Sequence, residues 1–256
     1  MNQPIIVLMI VFTFSFGGAL LGMWLRTILP EHHLDDDSKD TVKLGIGLIA
    51  TMAALVLGLI TASAKGSFDA ADAAVKNTAI DVITLDRTLA RYGPETGEIR
   101  SALKRVIGDR INMVWPQGSS RTTILDPMRS RTGSEAEELA NAIRALKPHN
   151  DSQRALQSRA LNFTEALLQA RWLIFAGTEK SIPLPFLVIL VFWLTFIFAS
   201  FGLFAPRNTT VLVILFICAV SVGSAVFLIV ELGTPFDGLL KISGDPFRYV
   251  YAHLNQ

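Results

Sequence analysis

Apolar residues gather in four stretches of this chain, 5–28, 43–64, 184–204 and 210–231, and charged and turn residues return between them. Each stretch can cross a hydrocarbon core, which takes about 20 helical residues. The pattern predicts an all-α integral membrane protein: four transmembrane helices in two hairpins, with a polar helical insert between the second and third spans. The chain opens Met1-Asn2-Gln3-Pro4, without a basic residue, and its first apolar run is longer than a signal-peptide core, so span one reads as a retained helix.

Small residues refine the first hairpin. Lipid tails are as apolar as leucine, so helices associate in a membrane through close approach of small side chains. Span one carries Ser15, Gly18 and Gly22 on one face and ends at Arg26, whose long side chain can reach headgroups. That face is expected to meet another helix. Span two divides by size: Gly47, Thr51, Ala54, Gly58 and Thr61 recur three or four apart, while Leu48, Met52, Leu55 and Leu59 occupy another face. The small face either packs tightly against a helix or lines a narrow pore.

Beyond Lys65 and Gly66 the helical period persists in Phe68, Ala71, Val75, Val82, Leu85, Leu89 and Tyr92, with Asp69, Asp72, Lys76, Asp81, Arg87 and Arg91 on the polar side. Span two is therefore expected to run on into water. Gly93-Pro94 ends that helix and opens the next, whose buried face reads Ile99, Leu103, Val106 and Met113. Residues 116–133, with Gly118, Pro127 and Gly133, read as a mobile loop. Ser134 with Glu137 forms a capping-box pattern opening a short helix through Leu146, and after Pro148 a further helix carries Leu156, Ala160, Phe163, Leu167, Ala170 and Ile174.

Spans three and four are joined by Ala205-Pro206-Arg207-Asn208-Thr209, short enough to dictate a hairpin. The phenylalanines of span three are expected to face lipid, and Ser221 and Ser224 of span four to face a helix. The expected divisions are a first hairpin over 1–66, the insert over 67–182, a second hairpin over 183–232 and a tail over 233–256.

Composition supports the membrane class: 51% of the residues are hydrophobic and 18% charged, against about 25% charged in soluble domains. A formal net charge of +1 provides no global field for nucleic acid, which is set aside as a partner. Four spans place both termini and the insert on one side. That side carries Lys65, Lys76, Arg171, Lys180, Lys241 and Arg248 near the membrane, against Arg26, Lys39, Lys43 and Arg207 opposite, and the excess makes it cytoplasmic.

Candidate chemistry is sparse. His32 and His33 stand beside Asp35, Asp36, Asp37 and Asp40, donors suited to a divalent ion. Adjacent histidines rarely converge on one metal, and acidic runs are usually solvated, so no metal site is expected. In a ring of subunits Asp35, Asp36 and Asp37 would instead form an acidic outer mouth that concentrates cations. Glu231 closes span four, where burial is costly, so it reaches the interface or has a partner. Arg87, Arg91, Arg100 and Lys104, with Arg105, form a basic cluster that lines an anion vestibule, touches headgroups or is a solvated face paired with acids. Cys218 has no second cysteine and reads as a small apolar residue. With no GxSxG elbow, HExxH or Walker loop, neither a catalytic residue nor a cofactor is expected.

The segments Val42-Lys43-Leu44-Gly45-Ile46-Gly47-Leu48-Ile49-Ala50-Thr51, Ala54-Leu55-Val56-Leu57-Gly58-Leu59 and Pro235-Phe236-Asp237-Gly238-Leu239-Leu240-Lys241-Ile242-Ser243 resemble the bestrophin-like domain family of bacterial four-helix membrane proteins. The resemblance extends over nearly the whole chain. It implies kinship with bestrophins, pentameric anion or cation channels whose second helix lines the pore. The resulting expectation is a homo-oligomeric ion channel of the bacterial inner membrane, a pentamer among the possible rings. Gly47, Thr51, Ala54, Gly58 and Thr61 would line the pore, and inorganic ions and membrane lipids would be the partners. The alternative is a non-conducting scaffold or sensor whose insert binds a protein partner through 116–133.

Overall fold

The structure, a computed structural model, describes residues 2–30, 36–116, 132–176, 184–206, 208–236 and 238–256; at 2, 36–38, 132–134, 136, 170–176 and 184 it describes backbone alone. The described chain is helical. Its elements are α1 (Asn2–Leu25), α2 (Asp36–Tyr92), α3 (Gly97–Val114), α4 (Thr132–Arg144), α5 (Asp151–Ala176), α6 (Leu184–Phe204), α7 (Thr209–Leu232) and α8 (Asp245–His253). Four of them, α1, α2, α6 and α7, are long and apolar enough to cross a membrane. Helix α2 runs unbroken for 57 residues, so the continuation expected past Gly66 is one helix with the span.

Contacts divide the chain into two compact units, Met1–Phe68 with Lys180–Leu240, and Asp69–Glu179 with Lys241–Gln256. In the first, α1 lies against α6 and α7. The glycines explain how closely: a Cβ built on Gly22 would collide with the carbonyl oxygen of Ala199, and one on Gly202 with that of Ala19. Gly18 meets Thr195 in the same way. Two backbones touch because neither presents a side chain at the crossing. The face read from Ser15, Gly18 and Gly22 is thus the α1 contact face, and Ser15 is fully buried in it.

Around that crossing, Val11, Ile46, Ala53, Leu190, Leu194, Ile197 and Val226 form one core cluster, and Ala19, Phe198, Leu215 and Ala219 another. Phe12, Phe16 and Phe216 add a ring cluster with centroids 5.5 to 5.7 Å apart. Of the α6 phenylalanines, Phe186, Phe192, Phe196 and Phe201 are exposed on the chain's surface, whereas Phe198 is core. On α7 the face toward α1 is set by Gly223, which meets Leu8 and Phe12. Ser221 and Ser224 instead return their hydroxyls to the carbonyls of Ile217 and Val220. Asn208 caps the helix, its side chain accepting from the N–H of Val211 at 2.9 Å.

In the second unit, α2 ends where Gly93 takes φ 147°, a conformation that disfavours any residue with a Cβ. Thr96 donates to the carbonyls of Leu89 (2.6 Å) and Gly93 (2.8 Å), absorbing acceptors that the helix end leaves open. Gln157 of α5 does the same for α4, donating to Ile143 and Leu146 at 2.9 Å. Helix α3 buries Ile99, Leu103, Ile107 and Ile111. The expected Met113 is exposed and Val106 only half-buried, because contact follows a strict four-residue step that drifts off both. Helix α4 starts at Thr132, so Ser134 falls within its first turn rather than ahead of it, and the helix stops at Arg144, short of Leu146. The loop read over 116–133 lies, except at its ends, outside the described residues. Helix α8 joins α3: Trp115 donates to the carbonyl of Ile242 at 2.9 Å, its ring covers Gly244 and sits 5.7 Å from that of Phe247.

Candidate functional site

Helix α2 presents three different faces in the first unit. Ile46, Ala53, Ile60 and Ala64 are buried against the helices of their own chain. About 100° of rotation per residue places Gly47, Thr51, Ala54, Gly58 and Thr61 on the flank of that face, and all five are exposed. A Cβ added at Gly47 or Gly58 would meet nothing within 4 Å. The third face carries Leu44, Leu48, Met52, Leu55 and Leu59, also exposed and uniformly large. The chain's own described helices therefore leave the small face uncovered.

Its polar groups are spoken for in part. Thr51 donates to the carbonyl of Gly47 at 2.8 Å and Thr61 to that of Leu57 at 2.7 Å. With the hydrogens turned inward to the helix, what remains outward is the accepting capacity of the hydroxyl oxygens. The same economy holds for Thr195, Ser200, Ser221 and Ser224, as hydrocarbon offers a hydroxyl no other partner.

The outer acidic residues are less defined. Asp35 lies outside the described residues together with His32 and His33; Asp36 and Asp37 begin α2, with only their backbone described. Asp40, one turn further, accepts from Lys43 at 2.8 Å. Among the described residues no cluster of three or more metal-type ligands occurs.

Glu231 is 2% exposed, buried at the end of α7 rather than reaching for an interface. Its carboxylate accepts from the backbone N–H of Leu239 at 2.8 Å. Gly238, at φ 102°, is what lets the chain come back so near: a Cβ there would overlap the same carboxylate. The segment after α7 is thus folded over the acid that precedes it. Asp237 is outside the described residues.

Within the second unit the basic cluster separates into tasks. Arg100 bonds Asp86 through two parallel contacts, Nε to Oδ1 at 2.8 Å and Nη2 to Oδ2 at 2.9 Å. Asp86 is fully buried, and its bonding raises the Arg100 pKa above its ordinary value, against the opposing effect of burial. Arg87 and Arg100 also donate to the main-chain oxygen of Gln256, and Lys104 to that of Leu254 at 3.1 Å, with its ammonium over the Tyr251 ring. Arg91 is exposed. Sequence reasoning missed Asp86. The signal was present: Val75, Ala79, Val82, Asp86 and Leu89 step by four and three, which puts an acid in core register.

These features define a class, an all-α, multi-pass membrane protein in which one long helix offers an uncovered small-residue face. The Bestrophin-like domain family matches residues 13–247, and the chain belongs to that family. Membership suggests a channel-like membrane protein. No curated protein and no solved structure matches the chain.

Proposed function

We propose that the protein is the subunit of a homo-oligomeric ion channel of the bacterial inner membrane. In this reading α1, the 43–64 part of α2, α6 and α7 span the bilayer as two hairpins, with the insert and both termini cytoplasmic. The small face of α2 lines the pore. The observation that carries the reading is that Gly47, Thr51, Ala54, Gly58 and Thr61 are left open by the chain's own described helices.

A membrane helix gains by bringing small residues against another backbone, as Gly22 and Gly202 do. A second such stripe, left open by the chain's own described helices, suits a neighbouring subunit along its edge and a water-filled path along its centre. The outward hydroxyl oxygens of Thr51 and Thr61 then supply weak acceptors along the path. Asp35 to Asp37 would lie at the outer mouth and Arg87, Arg91, Arg100 and Lys104 on the cytoplasmic side. Inorganic ions are the transported species, and no catalytic step is required.

Cysteine accessibility tests this reading. In a Cys218→Ser background, Thr51→Cys and Gly58→Cys are expected to react in membranes with a charged, water-soluble thiol reagent, and Leu48→Cys and Leu59→Cys to resist it. Equal protection of all four positions would remove the pore from α2.

A further inference from the structure

In the turn after α7, Leu239 is 74% and Leu240 40% exposed. The backbone beneath them is tied down: the N–H of Leu239 donates to the Glu231 carboxylate at 2.8 Å, and Gly238 lies against the same group. A lone exposed leucine on a protein surface needs no account. Two in succession, on a backbone held this firmly, call for surroundings other than water.

Those surroundings follow from depth. Helix α7 is long and apolar enough to cross a membrane, and from Val211 to Val230 it carries no charged residue. A hydrocarbon core takes about 20 helical residues, so that run fills it, and Glu231, the next residue, stands at its edge. A helical side chain leans back toward the N-terminus of its own helix. Contact with the Glu231 carboxylate therefore sets Gly238 and Leu239 level with the last turn of α7 rather than beyond it. The chain leaves the span at Gly233, passes Pro235 and Phe236, and comes back to the boundary with two leucines. At that level a bare apolar side chain meets the ends of acyl chains beneath the headgroups.

We propose that Leu239 and Leu240 form an interfacial anchor that docks on the lipid surface, held at the acyl-chain boundary by the Glu231 carboxylate. The proposal rests on reading α7 as a membrane span. The division between the two units of the chain falls just after Leu240. Close behind it, the carbonyl of Ile242 accepts from the Trp115 indole at 2.9 Å, within the packing of α3 and α8. The anchor thus fixes the point from which the chain enters the second unit.

The test uses the full chain in a Cys218→Ser background, reconstituted in vesicles of phosphatidylcholine and phosphatidylglycerol, with a nitrobenzoxadiazole label on Leu239→Cys or on Leu240→Cys. Because it is the backbone of Leu239 that bonds Glu231, the substitution leaves that contact in place. Both labels are expected to be quenched by a lipid carrying a nitroxide near the glycerol end of its acyl chain, and to be quenched by aqueous iodide severalfold less than free label. Should one variant misfold, the other still reads the same turn. Quenching by iodide and not by the lipid overturns the proposal. So does protection from both, because another protein surface would then cover the turn. Glu231→Ala is expected to raise iodide quenching at the Leu239→Cys label severalfold, and unchanged quenching removes Glu231 as the group that sets the depth. Leu228→Cys, at an exposed position on α7 ahead of Glu231, reads the span separately. Iodide quenching there defeats the reading of α7 as a membrane helix, whereas iodide quenching at the turn alone defeats the anchor.

Discussion

Asp86 and Arg100 illustrate how much one residue pair can hold. Removing one partner of a buried pair leaves the other charge without compensation, which costs about 3–5 kcal/mol, whereas replacing both by apolar groups is often neutral. Arg100→Ala is therefore expected to lower stability by about that amount, and Asp86→Leu combined with Arg100→Met to recover most of it in thermal unfolding. Arg100→Lys should recover only part, since an ammonium cannot make the two parallel bonds. Glu231 is the corresponding residue in the first unit. Charge-assisted hydrogen bonds contribute about 1.5–3 kcal/mol, so Glu231→Ala should speed hydrogen exchange at the Leu239 amide by about tenfold or more, and Glu231→Gln, which keeps an accepting oxygen, by less. Neither role was read from the sequence. Asp86 was hidden among the charges of an amphipathic helix, though its four-and-three register gave it away. For Glu231 the decisive partner is a backbone N–H beyond two glycines and a proline, and backbone partners leave no mark in residue identity.

The helices differ in how openly the sequence states their contacts. Gly18 and Gly22 declared the α1 face, because in lipid only small residues let backbones meet. The crossing is correspondingly brittle. Gly22→Leu places a side chain where the Ala199 carbonyl already lies, so α1 must move off α6, and overpacking of this kind costs about 1–3 kcal/mol or more. The expected outcome is an early, broadened unfolding in detergent. Gly45→Leu is the control, since a Cβ there meets nothing within 4 Å. On α2 the reading was less complete. Size separated the small face from the large one, but the face that packs, through Ile46, Ala53 and Ile60, looked no different from Leu48, Leu55 and Leu59. Hydropathy cannot tell a neighbour from a lipid when both are apolar. The continuation of α2 to Tyr92 was legible for the opposite reason: past Phe68 the surroundings discriminate polar from apolar positions, and the period shows again.

At the scale of the whole molecule, the uncovered face of α2 has to be reconciled with a closed assembly. A single subunit cannot surround a path with one helix, so conduction along this face requires several copies related by rotation, each offering the same residues to a common axis. Rotation about an axis through identical contacts closes at a fixed number of subunits. The mass of the protein in nanodiscs should then be one discrete multiple of the 28.0 kDa chain, independent of protein concentration over the working range. Gly58→Trp, projecting a large ring into the axis, is expected to leave that mass intact and reduce bilayer current to background, while Leu59→Trp on the adjoining large face leaves both unchanged. A monomer of the full chain would exclude the pore outright, since α1, α6 and α7 fill the space on the packed side of α2 with side chains down to the contact of Gly22 and Gly202. A ring that forms but carries no current with Gly58 intact would keep the small face as a subunit contact and deny it the ions. Mass and current together therefore separate the two uses of one stripe of small residues, close packing and passage of water.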